Sequence, residues 1–202
     1  SESMKTHWEK VYQNKNPNEV SWTQETPTTS LKLIHSFQLS TSAQIIDVGG
    51  GESKLVDYLL ERGFENITVL DISEKALEKA QKRLGNRAKQ VNWIACDITN
   101  FKPEHSFDLW HDRAAFHFLT SKEQIKKYCR LATSSVNKYL IIGSFSNDGP
   151  VKCSGLEIKQ YDSAALSNAF SSGFKTIQSL TEDHVTPFKT KQNFIFSSFE
   201  KK

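Results

Sequence analysis

The chain has 202 residues, 37% of them hydrophobic and 24% charged, and a formal net charge of +3. This length suits one domain, and the composition excludes a disordered chain or one that spans a membrane with helices of roughly 20 apolar residues. Basic and acidic residues are interleaved, so the weak positive charge does not indicate a nucleic-acid partner.

The first 42 residues precede any apolar strand pattern. We expect residues 1–3 to be a cloning remnant before Met4, residues 4–42 to form an N-terminal helical lid, and residues 43–202 to form the main globular unit with that lid. Two helices are predicted in the lid, near residues 6–13 and 28–38.

Short apolar runs then alternate with amphipathic stretches. The runs predict five buried strands, at residues 43–48, 67–71, 91–95, 107–110 and 139–145. Helices are predicted between them, with Ser73 as an N-cap, Ser121 and Gln124 as a capping box, and Gly63 and Gly85 as helix ends. Strands separated by helices predict parallel βαβ units.

The end of the chain follows another pattern. Residues 162–170 have helical spacing, but no helix separates the predicted strands at 175–180 and 193–199. We therefore predict an α/β fold with a doubly wound, mostly parallel seven-stranded sheet and an antiparallel edge strand.

Ligands of such sheets bind outside the carboxyl ends of the strands, at the point where the strand order reverses. The first strand ends in Asp47, Gly49, Gly50 and Gly51. Glycine permits close approach of the backbone to a ligand, and the following helix directs its N–H groups at the same space. A tight turn without a ligand is the alternative.

The second strand ends in Asp71, whose carboxylate can accept hydrogen bonds from two vicinal ribose hydroxyls. The alternative is an N-cap of the next helix. A glycine loop followed by such an acid occurs in NAD(P)-dependent oxidoreductases and in methyltransferases. The dinucleotide fingerprint needs a small residue where this chain has Lys54, which argues against the oxidoreductase.

Four segments in order resemble the class I S-adenosylmethionine-dependent methyltransferase family: residues 47–51, 69–73, 95–98 and 107–112. The resemblance implies that the glycine loop holds the methionine part of S-adenosyl-L-methionine and Asp71 the ribose. It also implies that Asp97 accepts from the adenine amino group. It places Ile72, with Cys96 or Ile98, on the adenine ring. The usual Gly-x-Gly-x-Gly is compressed here, which leaves the loop path open.

The resemblance also places His111 and Asp112 near the methionine end. His111 and His117 are candidate catalytic bases, and Asp112 can orient one of them. The alternative for His117 is a packed histidine within an aromatic cluster. Arg113 either binds an anionic acceptor or pairs with Asp112.

Further candidates lie in other segments. Tyr12 and Trp22 are predicted beside the cofactor, where aromatic faces stabilise a sulfonium, with Trp8 as a structural anchor. Cys153, in a polar loop after the fifth strand, and His184, near the last strands, are candidate acceptor contacts.

The acceptor itself stays open. Residues 112–116 resemble thiopurine methyltransferase relatives, and residues 7–12 and 63–68 resemble lysine methyltransferases of translation factors. We expect a small-molecule acceptor, with a protein lysine as the alternative. A catalytically silent methyltransferase-like binding protein is the alternative of another class.

The spacing of the cysteines indicates which metal sites and which cellular compartment to expect. Cys96, Cys129 and Cys153 are widely spaced and form no CxxC pair, so neither a zinc site nor a disulfide framework is predicted. With no signal-peptide pattern, we expect a cytoplasmic monomer without a metal.

Overall fold

A seven-stranded sheet organises the computed structural model, which describes residues 3–14, 24 and 26–202. Its strands are β1 Gln44–Val48, β2 Asn66–Asp71, β3 Val91–Ala95, β4 Phe107–Arg113, β5 Val136–Phe145, β8 Phe174–Val185 and β9 Lys191–Lys201. Two short strands, β6 Lys152–Cys153 and β7 Leu156–Glu157, form a separate hairpin.

The strand order is β3-β2-β1-β4-β5-β9-β8. Strands β1 to β5 pair in parallel, whereas β9 is antiparallel to both β5 and β8. The predicted α/β class and mostly parallel sheet are confirmed. The antiparallel strand is β9, and β8 covers it at the edge.

Within the described part of the chain, six α-helices flank the sheet: α1 Met4–Asn14, α2 Thr28–Ser36, α3 Leu55–Glu61, α4 Glu74–Leu84, α5 Lys122–Ser135 and α6 Ser163–Phe170. The predicted N-caps of α4 and α5 are confirmed. The Ser73 hydroxyl accepts from Ala76 N at 3.1 Å, and the Ser121 hydroxyl accepts from Gln124 N at 3.2 Å. Gly63, with φ +86°, follows the end of α3.

Alternate residues of each central strand face opposite layers, so both faces of the sheet carry apolar side chains. On β1, Ile45 packs with α1 to α4, while Ile46 packs with α5 and α6. Burial on both faces explains why the strands appear in the sequence as continuous apolar runs.

Strand β1 pairs with β2 on one side and with β4 on the other, so the strand order reverses there. The carboxyl ends of β1 to β4 therefore meet at one edge of the sheet, which is the expected binding edge. Within the residues that the structure describes, no helix is long and apolar enough to cross a membrane.

Candidate functional site

A cavity of about 420 Å³ lies at this edge. Its floor is made by residues at four strand ends: Val48, Gly49, Leu70, Asp71, Ile72, Cys96, Asp97, Ile98, Arg113, Ala114 and Ala115. Met4, Trp8 and Tyr12 of α1 and the β7 residues Leu156 and Glu157 also line it. The volume is within the range of pockets that bind small ligands.

The glycine loop after β1 has no room for side chains. Gly49 has φ +70°, and a Cβ placed on it would lie 2.6 Å from the Ala115 Cβ. A Cβ on Gly50 would collide with the Asp47 carboxylate, and one on Gly51 would lie 2.9 Å from Asp71 Oδ2. The loop backbone therefore packs directly against two carboxylates, which a simple turn does not require.

Asp71 is buried in the cavity floor and held by backbone N–H groups. Its Oδ2 accepts from Gly51 N at 3.0 Å, and its Oδ1 accepts from Ser73 N at 2.9 Å. Burial raises the pKa of Asp71 to about 6, against the effect of these two hydrogen bonds. Because each carboxylate oxygen has a further lone pair, Asp71 can accept two more hydrogen bonds. The N-cap of α4 is Ser73, not Asp71.

Asp97 lines the cavity just after β3, the strand next to β2. Its Oδ1 accepts from the Thr99 backbone N at 2.9 Å and from the Thr99 hydroxyl at 2.8 Å, which caps a short 3-10 helix. Apolar side chains line the cavity beside it: Ile72, Cys96 and Ile98. Burial raises the pKa of the Cys96 thiol, so that it stays neutral and apolar in character. This part of the cavity suits a flat ring that carries an amino group.

Asp47 and His111 form a buried pair beneath the glycine loop. The distance from His111 Nδ1 to Asp47 Oδ1 is 2.9 Å, and from His111 Nε2 to Ser30 Oγ it is 2.7 Å. Asp47 Oδ2 is buried and accepts no hydrogen bond from the described residues. His111 lies outside the main cavity and lines a separate space of about 20 Å³, which shares Gly49 and Arg113 with it.

Asp112 shapes the turn after β4. Its Oδ1 accepts from Ala115 N at 2.9 Å and Phe116 N at 3.1 Å, and its Oδ2 accepts from the Tyr128 hydroxyl. Burial raises its pKa to about 6. The hydrogen-bond partners that the structure gives Asp112 are therefore this turn and α5, and they include neither histidine nor Arg113.

His117 is fully buried among aromatic rings. Its ring centroid lies 4.7 Å from that of Phe118 and 4.6 Å from that of Phe145, and its Nδ1 accepts from Phe145 N at 3.0 Å. Burial, reinforced by the charge of Arg113, lowers the pKa of His117 to about 3. These contacts correspond to the packed alternative, because a neutral ring of this basicity is a weak base at neutral pH.

Three candidate acceptor residues lie near one another at the side of the cavity. The Arg113 guanidinium is 4.3 Å above the Phe194 ring, and the His184 ring meets that ring edge-on at 5.9 Å. Cys153 is buried in β6, and electrostatic interactions connect it with both Arg113 and Tyr12. Of the three, only Arg113 lines the cavity. Loss of hydration lowers its pKa to about 10, so it remains charged at neutral pH.

Aromatic rings of α1 cover the cavity. The Trp8 and Tyr12 ring centroids are 6.0 Å apart, and Trp8 meets Phe118 edge-on at 5.0 Å. Both α1 rings line the cavity, so Trp8 is a cavity wall as well as an anchor. Burial raises the pKa of Tyr12, which keeps the phenol neutral. Trp22 lies outside the described residues.

Residues 45–137 match a family described as a methyltransferase domain. This match covers β1 to the start of β5 and includes every strand end of the cavity floor. This segment of the chain therefore resembles a methyltransferase domain.

Known proteins resemble this chain in sequence and in fold. The mouse (Mus musculus) eEF1A lysine and N-terminal methyltransferase is 24% identical over 121 residues, which are 59% of this chain and 17% of that relative. A structure from work on the conversion of a disulfide bond into a thioacetal group during echinomycin biosynthesis superposes with a TM-score of 0.80. It shares 15% identity and covers 98% of this chain and 92% of that one.

Another solved structure is the Burkholderia thailandensis 1,6-didemethyltoxoflavin-N1-methyltransferase with bound 1,6-didemethyltoxoflavin and S-adenosylhomocysteine. Its TM-score is 0.68 at 18% identity, covering 95% of this chain and 80% of that one. At such identities the likeness shows a shared fold.

Several residues of the site gave no signal in the sequence. Ser30 lies in an ordinary amphipathic helix, yet its side chain reaches the buried His111. Glu157 lines the cavity from a hairpin whose two-residue strands show no periodicity. Among residues 3–14, 24 and 26–202, no group of three His, Cys, Asp or Glu side chains is arranged to hold a metal ion.

Proposed function

We propose that this chain is an S-adenosylmethionine-dependent methyltransferase that acts on a small molecule. The observation that carries this proposal is the cavity that joins the glycine loop, buried Asp71 and Asp97 at successive strand ends. A dinucleotide site lacks support, because the expected third small residue is replaced by Lys54.

Each chemical group of the cofactor has a suitable partner among the residues of the cavity. The free lone pairs of Asp71 suit the two hydroxyls of a ribose. Asp97 suits the adenine amino group, and its apolar neighbours suit the faces of the ring: Ile72, Cys96 and Ile98. The unpaired Asp47 Oδ2, behind the glycine loop, suits the cationic amino group at the methionine end.

The cofactor, when bound, supplies a methyl group on a sulfonium that is already a good leaving group. The rings of Trp8 and Tyr12 would exclude water and favour the positive charge. Neither His111 nor His117 lines the cavity. We therefore propose that rate comes mainly from holding the acceptor in line with the methyl carbon, and that Asp112, His111 and His117 act by supporting the site.

The cover over the cavity favours a small acceptor. Helix α1 and the β6–β7 hairpin both line it, which limits the space above the floor. The chain superposes over most of its length on the structure of an enzyme that holds the small molecule 1,6-didemethyltoxoflavin. Arg113 at the cavity wall suits an acceptor with an anionic group, and Cys153 and His184 lie behind it.

A protein lysine is the second candidate acceptor. The matches to eEF1A lysine methyltransferases favour it, with 27% identity to the Danio rerio EEF1A lysine methyltransferase 2 over 62% of this chain and 58% of that one. We also propose that the protein works in the cytoplasm, as its widely spaced cysteines suggest, and that it is a monomer.

Transfer of an isotopic methyl group tests the proposal. The purified protein is incubated with methyl-labelled S-adenosylmethionine and, separately, small thiols, organic acids, heteroaromatic amines and translation elongation factor 1A. Label on a small molecule, lost in Asp71→Ala, supports the proposal. Label on the elongation factor alone establishes the second candidate. Cofactor binding without any labelled product supports the catalytically silent alternative.

A further inference from the structure

A buried chain of three side chains ties α2 to the glycine loop. It runs from Asp47 at the end of β1 through His111 on β4 to Ser30 on α2. Each of the three is at most 2% exposed. Ser30 and Asp47 belong to elements separated by the predicted lid boundary, so the contact joins lid and domain.

The direction of the hydrogen bonds follows from chemistry. The Asp47 carboxylate accepts, so His111 Nδ1 carries the proton. The Ser30 hydroxyl is the partner of Nε2: it donates to a neutral ring and accepts from a protonated one. Without that hydroxyl, Nε2 would be a buried polar atom with no partner, which is costly enough to change the orientation of the ring.

The His111 ring in turn sets the position of the Asp47 carboxylate. With Oδ1 held by Nδ1, Oδ2 is directed toward Gly50 and the small polar space that shares Gly49 with the main cavity. A buried carboxylate oxygen without a donor is unfavourable and marks a place for a cationic group. The space of about 20 Å³ is large enough for one water molecule or one amino group.

The same three residue types activate a serine in hydrolases. Here the Ser30 hydroxyl is buried, and the space beside it has the size of a water molecule, so an ester or amide carbonyl cannot reach Oγ. The arrangement therefore suits a positioning role and not a nucleophilic one.

We propose that Ser30 is a positioning residue for the cofactor. Through His111, Ser30 holds the Asp47 carboxylate toward the amino group at the methionine end of the cofactor. Packing of α2 on the domain therefore favours binding of that amino group, and binding of the amino group favours packing of α2. This inference rests on the proposed function, because it assumes that the cofactor occupies the cavity.

The test compares two probes that differ in the amino-acid end. S-adenosylhomocysteine carries that end, and adenosine lacks it. Calorimetric titration of Ser30→Ala should show roughly tenfold weaker binding of S-adenosylhomocysteine and unchanged binding of adenosine, since only the former reaches Asp47.

Two variants in α2 serve as controls. Ser36→Ala removes a hydroxyl that donates to Leu33 O of the same helix, so both affinities should stay at wild-type values. Thr29→Val removes another side-chain hydrogen bond of α2, the one that the Thr29 hydroxyl donates to Glu182, and leaves the His111 contacts unchanged. Because the Ser30–His111 hydrogen bond is kept in that variant, both affinities should stay near wild-type values.

The outcomes separate the two claims. Unchanged S-adenosylhomocysteine binding in Ser30→Ala, or an equal loss for both probes, overturns the positioning role and leaves the proposed function in place. A wild-type protein that binds neither probe overturns the proposed function and the positioning role with it.

Discussion

The floor and the cover of the cavity are built by different interactions. In the floor, Asp71 and Asp97 are held by backbone N–H groups at strand ends. In the cover, the Trp8 ring meets Tyr12 within α1 and meets Phe118, which is distant in sequence, through ring contacts. Backbone hydrogen bonds place a carboxylate with little freedom, whereas ring contacts tolerate replacement. Changes in the floor should therefore affect ligand binding more than changes in the cover.

The largest effect is expected at Asp71. Asp71→Ala removes a carboxylate that we expect to accept two ribose hydroxyls, and hydrogen bonds to charged groups contribute about 1.5–3 kcal/mol each. Affinity for S-adenosylhomocysteine in calorimetry should fall at least roughly 150-fold, which corresponds to about 3 kcal/mol for two hydrogen bonds at the lower value. Asp108→Ala is the control, since Asp108 accepts from Gln44 N at the opposite edge of the sheet. Wild-type affinity in Asp71→Ala would contradict the ribose assignment.

The second-largest effect is expected on folding stability, when a side chain is added to the glycine loop. Gly49→Ala combines positive-φ strain of about 1–2 kcal/mol with the overlap against Ala115, for a total loss of about 2–4 kcal/mol. Gly155 has a similar φ of +77°, but a Cβ placed on it would meet nothing within 4 Å, so Gly155→Ala should lose only the strain. Urea unfolding of both variants measures the difference. Equal losses would show that the loop has room for a side chain.

The floor should also make binding depend on pH. Burial raises the pKa of Asp71 from 3.8 to about 6, and the ionised form is the better acceptor. Affinity should be full above about pH 7 and decline as pH falls through 6, roughly tenfold by pH 5. Asp112 has a similar pKa but lies outside the cavity lining, so Asp71→Asn should flatten the profile. A profile that is unchanged in Asp71→Asn would assign the titration to another group.

The smallest effect is expected in the cover. Tyr12→Leu removes a ring that we place beside the sulfonium, so binding of S-adenosylmethionine should weaken more than that of uncharged S-adenosylhomocysteine. The ratio should change by roughly three- to tenfold, from about 0.5–1.5 kcal/mol of cation–π attraction. Tyr139→Leu is the control, because Tyr139 stacks on Phe37 away from the cavity. A ratio that stays constant in Tyr12→Leu would remove Tyr12 from the sulfonium environment.

The difference between floor and cover also explains which site residues could be predicted from the sequence. Asp71 is the last residue of an apolar strand, so the apolar pattern is enough to place it at the edge of the sheet. Ser30 is 81 residues from His111 along the chain, and no local pattern connects them. Likewise, the sequence suggests that Asp112 orients a histidine, but its oxygen accepts from Tyr128 on α5. Such partners depend on packing between elements, which periodicity does not encode.

The most direct test of the account is titration of the purified protein with S-adenosylhomocysteine, with NADH as the comparison ligand. We expect micromolar binding of S-adenosylhomocysteine, lost in Asp71→Ala, and no binding of NADH. Binding of NADH alone, or S-adenosylhomocysteine binding that is unaffected by Asp71→Ala, would contradict the assignment of the cavity floor as the cofactor site.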